Sequence, residues 1–196
     1  MDNFSFFIQQ GLSHITDINA YDHILFIIAL AAAYDFKAWK KTFFLVTGFT
    51  IGHSLALALA TLELVKINSA VVEFLIPVSI IATCIWNCFS PLKKEKKAEN
   101  SFIYLIITFF GLIHGLGFSN YLRFMLTSED TLFVPLLAFN VGLEIGQLAI
   151  LAIALMINFV FLELLKIKQQ YWSFIVSLIV MGISLPILFE TSKALF

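Results

Sequence analysis

The chain has 196 residues, 60% hydrophobic and 13% charged, with a mean hydropathy of +0.95 and a net charge of −1. A soluble domain carries far more charge, so the composition indicates an integral membrane protein. Near-neutral charge without a basic face excludes nucleic-acid binding as a leading function.

Residues 3–15 carry Phe4, Phe6, Phe7, Ile8, Leu12 and Ile15. A helix needs about 20 apolar residues to cross a bilayer, so this segment is too short and is expected to lie in the interface or partly re-enter. The opening Met1-Asp2-Asn3-Phe4 has no basic region or small-residue cleavage site, so no removed signal peptide is expected. Spans are predicted at 20–36, 42–62, 70–90, 101–119, 132–160 and 171–190. The expected fold is therefore all-α and polytopic: one transmembrane domain over residues 1–196, with six transmembrane helices and an N-terminal interfacial helix. Cys84 and Cys88, one helical turn apart on the third span, read as buried thiols, because neighbours on one helix make poor disulfide partners.

Basic residues set the expected orientation. Lys37, Lys40 and Lys41 follow the first span; Lys93, Lys94, Lys96 and Lys97 follow the third; Lys166 and Lys168 follow the fifth. Lys66, Arg123 and Lys193 lie on the opposite side. The positive-inside rule makes the larger group cytoplasmic and puts both termini outside. Residues 93–100 read as a solvated charged loop.

The polar residues fall inside the apolar runs. Gly48, Gly52 and His53 share the second span, Gly111, His114 and Gly115 the fourth, and Gly142, Glu144 and Gly146 the fifth. Each glycine pair is the small-xxx-small pattern that lets membrane helices approach closely. Asn140, Glu144 and Gln147 form one polar stripe that cannot face lipid. Thr50, Ser54, Ser79, Thr83 and Asn87 read as hydrogen-bond partners between helices. At a rise of ~1.5 Å per residue, His53 lies roughly 17 Å and His114 roughly 20 Å from the inner ends of their spans. Asp22 and His23 are expected at the outer end of the first span, with His14 just upstream. All of these groups fit a cleft opening outward.

Four imidazoles and two carboxylates in one half of a membrane suit a divalent transition metal. The expected metal residues are His14, Asp22, His23, His53, His114 and Glu144, supported by Asn140, Gln147 and Ser54; Asp22 either binds the ion or orients a histidine. Because coordination requires neutral imidazole, uptake is expected to fall as pH drops through the ordinary histidine range. Six of thirteen positions agree between Gly48–Ala60 and Gly142–Ala154, which run in opposite directions and suggest a 3+3 inverted repeat.

These residues resemble the HupE/UreJ family of membrane proteins, associated with hydrogenase and urease maturation. The resemblance is carried by Gly11-Leu-Ser-His14, Tyr21-Asp22-His23-Ile-Leu-Phe26, Gly52-His53-Ser54-Leu55, His114-Gly-Leu-Gly-Phe118 and Phe139-Asn140-Val-Gly142-Leu-Glu144-Ile-Gly-Gln147. It implies a six-helix protein of the bacterial inner membrane and, for the better-known branch, a permease taking up nickel. That branch has a His-x5-Asp-His motif, matched here by His14, Asp22 and His23 at a spacing two residues longer. Tyr121 stands where that branch places a glutamate after its His-Gly motif, so the chain looks closer to the second branch.

The expected function is a permease or binding protein for nickel first, cobalt or zinc next. A zinc-type intramembrane hydrolase using the same residues is the alternative, and a metal-free scaffold the second alternative. Expected partners are the bilayer, the metal ion, and a second copy or another membrane protein.

Overall fold

The computed structural model describes residues 3–89, 97–126 and 132–195. Among them seven α-helices follow in chain order: α1 Asn3–Ile15, α2 Asp22–Ala32, α3 Trp39–Thr61, α4 Ser69–Phe89, α5 Lys97–Leu126, α6 Phe133–Phe159 and α7 Gln169–Leu195. A 3-10 turn at Phe36–Ala38 leads into α3, and a π-type turn at Val160–Leu164 closes α6. The described residues contain no strand. Of the charged loop expected at 93–100, residues 93–96 lie outside the described residues and 97–100 already belong to α5. The end of the bundle carrying Thr61, Ser69 and Phe133 is called the upper end below.

Among the described residues, five helices are long and apolar enough to cross a membrane: α3 with its 3-10 turn, α4, α5, α6 with its π turn, and α7. The first expected span is different. Helix α2 has 11 residues, about 16 Å at 1.5 Å per residue, which is half the roughly 30 Å hydrocarbon core. Its apolar residues do not form a stripe; Leu25, Phe26, Ile27, Ala29, Leu30 and Ala31 are all buried. A helix apolar on every side belongs in a core rather than on a surface. Together with Leu45, Phe49, Ile80, Leu151 and Val180 from four surrounding helices, α2 makes the main hydrophobic cluster.

A helix that ends inside a bundle leaves its last carbonyls without intrahelical donors. Three side-chain amides supply them. Asn87 Nδ2 on α4 donates to Ala29 O at 2.8 Å, and Asn158 Nδ2 on α6 donates to Ala31 O at 2.8 Å and Tyr34 O at 3.1 Å. Gln169 Nε2 at the start of α7 donates to Ala32 O at 2.7 Å. Trp172 Nε1 donates to Asn158 Oδ1 at 2.7 Å and fixes which way that amide points.

Two helix pairs meet backbone to backbone. On the α3–α5 seam, a Cβ at Gly52 would lie 2.0 Å from Thr108 O, one at Gly111 would lie 2.1 Å from Phe49 O, and one at Gly115 would lie 2.4 Å from His53 O. On the α1–α6 seam, a Cβ at Gly11 would lie 2.0 Å from Phe139 O and one at Gly142 would lie 2.0 Å from Ile8 O. Gly146 faces the side chains of Leu12 and Ile15 in the same seam, while Gly48 meets the Thr108 hydroxyl at the looser distance of 3.2 Å. Helix α1 is thus packed along α6, burying Phe7 and Ile15, while Phe4, Phe6 and Leu12 remain exposed.

Gly52→Ala and Gly111→Ala should each force these backbones apart and lower stability by about 2 kcal/mol or more. Gly182→Ala, whose Cβ would meet nothing within 4 Å, should be neutral or stabilising by about 0.5–1 kcal/mol. Thermal unfolding of the purified variants in one detergent checks the contrast; equal losses at Gly52 and Gly182 would contradict it.

Candidate metal centre

The first turn of α2 is where the buried polar groups meet. His23 belongs to α2, His14 to the last turn of α1, His53 to α3 and His114 to α5. The His23 ring centroid lies 5.0 Å from that of His14, 5.6 Å from His53 and 5.0 Å from His114, and His14 lies 5.9 Å from His53. His53 is eight residues, about 12 Å, below the last residue of α3. Asp22 and His23 lie level with it, so they are deep in the bundle and not at the outer end of a span as expected. The reason is that α2 begins halfway through, which a hydropathy run cannot reveal.

Hydrogen bonding fixes two tautomers. His23 Nδ1 donates to Asp22 Oδ1 at 3.1 Å, leaving the lone pair on Nε2. The single proton of the Ser79 hydroxyl goes to Ile76 O at 2.7 Å. Ser79 Oγ therefore accepts from His114 Nε2–H at 3.0 Å, and the His114 lone pair is on Nδ1.

The imidazole nitrogens left without a hydrogen-bond partner are His14 Nε2, His23 Nε2, His114 Nδ1 and both nitrogens of His53. His53 is 0% exposed, His114 1% and His23 3%. Unpaired polar atoms so deeply buried are costly, on the order of 1–3 kcal/mol each, and a native structure rarely concentrates them. A cation removes that cost. In His14, His23 and His53, and again in Asp22, His23 and His114, the donor atoms lie within 4.8 Å of one another. Three imidazole nitrogens at about 2.0–2.1 Å from one ion sit roughly 3.3 Å apart, so small side-chain rotations close either set. Imidazole donors suit nickel, cobalt, zinc and copper.

A cleft of about 480 Å³ adjoins the centre, lined by His14, Asp22, His23 and His114 and also by Asp17 and Glu73. Beneath the histidines lies an aromatic layer that does not itself line the cleft. Phe49 lies 5.1 Å from His114 and 4.7 Å from Phe26, and Phe26 lies 6.1 Å from Phe110. Phe118 covers His14 from the side at 3.7 Å between ring centroids.

The other expected site residues lie elsewhere. Glu144 is not brought into the imidazole cluster. Its carboxylate accepts from Thr47 Oγ1 at 2.7 Å and from Thr50 Oγ1, on α3 below His53. Gln147 is fully buried beside Thr50. Asn140 Nδ2 and Ser54 Oγ each donate to a carbonyl of their own helix. Two features escaped the sequence reading. One is Ser79 as the orienting partner of His114. The other is a repeated string: Gly11-Leu-Ser-His14 on α1 matches Gly111-Leu-Ile-His114 on α5. In each, the glycine touches a neighbouring backbone and the histidine enters the cluster, so a self-comparison of the chain would have paired them.

Comparison with protein-family models matches residues 1–191 to the HupE / UreJ protein family, and the chain belongs to that family. The family is associated with nickel and cobalt accessory or transport function, and the histidine and aspartate groups described above could hold such an ion. Searches of curated proteins and of solved structures returned no match.

Proposed function

We propose that this HupE/UreJ family member is a permease or binding protein for a divalent transition metal, nickel first and cobalt or zinc next. One observation carries the reading: buried histidine nitrogens without hydrogen-bond partners gather in two donor sets that share His23, beside a cleft lined by His14, His23 and His114. In this reading His14, His23, His53 and His114 are the ligands, and Asp22 and Ser79 fix the tautomers of His23 and His114. Asp17 and Glu73 make the cleft attractive to cations. The ion is the substrate.

The bilayer is taken as a bacterial inner membrane, with the upper end extracytoplasmic. Lys37, Lys40, Lys41, Lys166 and Lys168 follow the lower ends of the helices and support that orientation, which places both termini outside. Helices α1 and α2 together make the first of six crossings, broken at residues 16–21 beside the site. Broken helices that present an ion site near the midplane are a recurring device of secondary transporters. The agreement of Gly48–Ala60 with Gly142–Ala154, and of Gly11–His14 with Gly111–His114, supports two inverted repeats. Release to the cytoplasm then requires the floor of Phe26, Phe49 and Phe110 to part as the repeats rock.

That same floor favours a second reading, a zinc-type intramembrane hydrolase. Such an enzyme needs an opening on one side only, and three histidines with a bound water would suffice. Glu144 does not line the cleft, so the base would come from Asp17, Asp22 or Glu73. A metal-free scaffold gives no reason to bury unpaired imidazoles together.

Elemental analysis of the purified protein should find about one transition-metal ion per chain. His53→Ala should abolish it, and Asp22→Asn, which spoils the His23 tautomer, should weaken it roughly 10- to 100-fold. Metal content unchanged in both variants would reject the site. Uptake of the same ion into sealed liposomes separates permease from enzyme.

A further inference from the structure

We infer that a second cation site, built only of oxygen and suited to sodium, lies on the α3–α6 seam below the imidazole pocket. Its donors are Glu144, Thr47, Thr50, Gln147 and the backbone carbonyl of Val46. Thr47, Thr50 and His53 follow one another at three-residue spacing along α3, so the stripe descends about 9 Å from the metal centre. Thr47 Oγ1 lies 2.7 Å from Glu144 Oε1. Thr50 Oγ1 is within hydrogen-bonding reach of three acceptors at once: Val46 O at 3.2 Å, Glu144 Oε2 and Gln147 Oε1. It has one proton to give.

Two further observations point to an ion. The amide nitrogen of Gln147 is buried without a partner while its oxygen faces inward to the cluster. Among the described residues no basic side chain forms an ion pair with Glu144, although this carboxylate lies within a membrane-spanning helix. Ionisable groups at that depth are paired or mark ion pathways. One carboxylate amid neutral oxygens supplies a single negative charge. That matches a monovalent ion, because calcium and magnesium sites are built with more carboxylates or with substrate phosphates. The all-oxygen set also disfavours nickel or zinc, which the imidazoles above prefer. Resting on the proposed inverted repeat, in which Thr50 and Glu144 are corresponding positions, the site falls on the repeat axis, where coupling ions bind in inverted-repeat transporters.

The rival arrangement turns the Gln147 amide over. Its N–H would then donate to Thr50, and Thr50 to Glu144, closing the network without an ion. The two arrangements separate in a thermal-unfolding experiment on the full chain in detergent, with a chelator present and pH and ionic strength fixed. Replacing choline chloride by saturating sodium chloride should raise the melting temperature by about 5 °C or more. Glu144→Gln and Thr50→Val should remove that rise while keeping the transition-metal stoichiometry of the imidazole pocket. His53→Ala should lose the transition metal and keep the sodium response. Sodium-23 resonance broadening on the wild type, reversed by excess sodium, gives the same answer if either variant fails to fold. Equal melting temperatures in sodium and choline, or a sodium response that survives Glu144→Gln, would overturn the inference without touching the imidazole site.

Discussion

Eleven helical residues cover about half the thickness of a bilayer, so α2 has to begin or end inside protein. The consequences run in both directions along its axis. At its lower end the carbonyls of Ala29, Ala31 and Ala32 are met by Asn87, Asn158 and Gln169, which ties α4, α6 and α7 to one short element. At its upper end the first turn puts Asp22 and His23 in the middle of the bundle, with Asp22 favourably placed at the positive end of the helix dipole. A full-length first span would have carried both residues to the surface and left His53 and His114 without their neighbours.

Close backbone approach does the rest of the positioning. Gly115 follows His114 directly and faces the carbonyl of His53, so the separation of two candidate ligands is set by a contact with no side chain in it. Gly11 and Gly142 do the same for α1, which carries His14. The site is therefore supported by helix seams and not by loops, a rigid footing for groups that must meet one ion. The apolar floor beneath lowers the local dielectric and makes every unpaired nitrogen more demanding of a partner.

Much of this was legible in the sequence because it depends on periodicity and composition. The limits of α1, α3, α4 and α6 fall within a few residues of the runs read from hydropathy, and all four histidines were singled out by their apolar surroundings. The gap between α1 and α2 was legible as the space between the 3–15 segment and the 20–36 run, but the packing of α1 along α6, which sets α2 deep in the bundle, was not. The separation of Glu144 from the histidines was not legible either. Glu144 and His53 both read as mid-span residues, but Glu144 meets α3 at Thr47 and Thr50, one to two turns below His53, and a hydropathy profile does not record that offset between helices. Ser79 was read as an interhelical hydrogen-bond partner, and only its proximity to His114 Nε2 shows which tautomer it enforces.

X-ray absorption on the purified protein loaded with one equivalent of nickel or zinc tests the central claim most directly. The account predicts three or four imidazole nitrogens at about 2.0–2.1 Å, with the multiple-scattering pattern of histidine rings and no sulfur. A shell of oxygen alone, or spectra unchanged by removing His23 and His53, would contradict it.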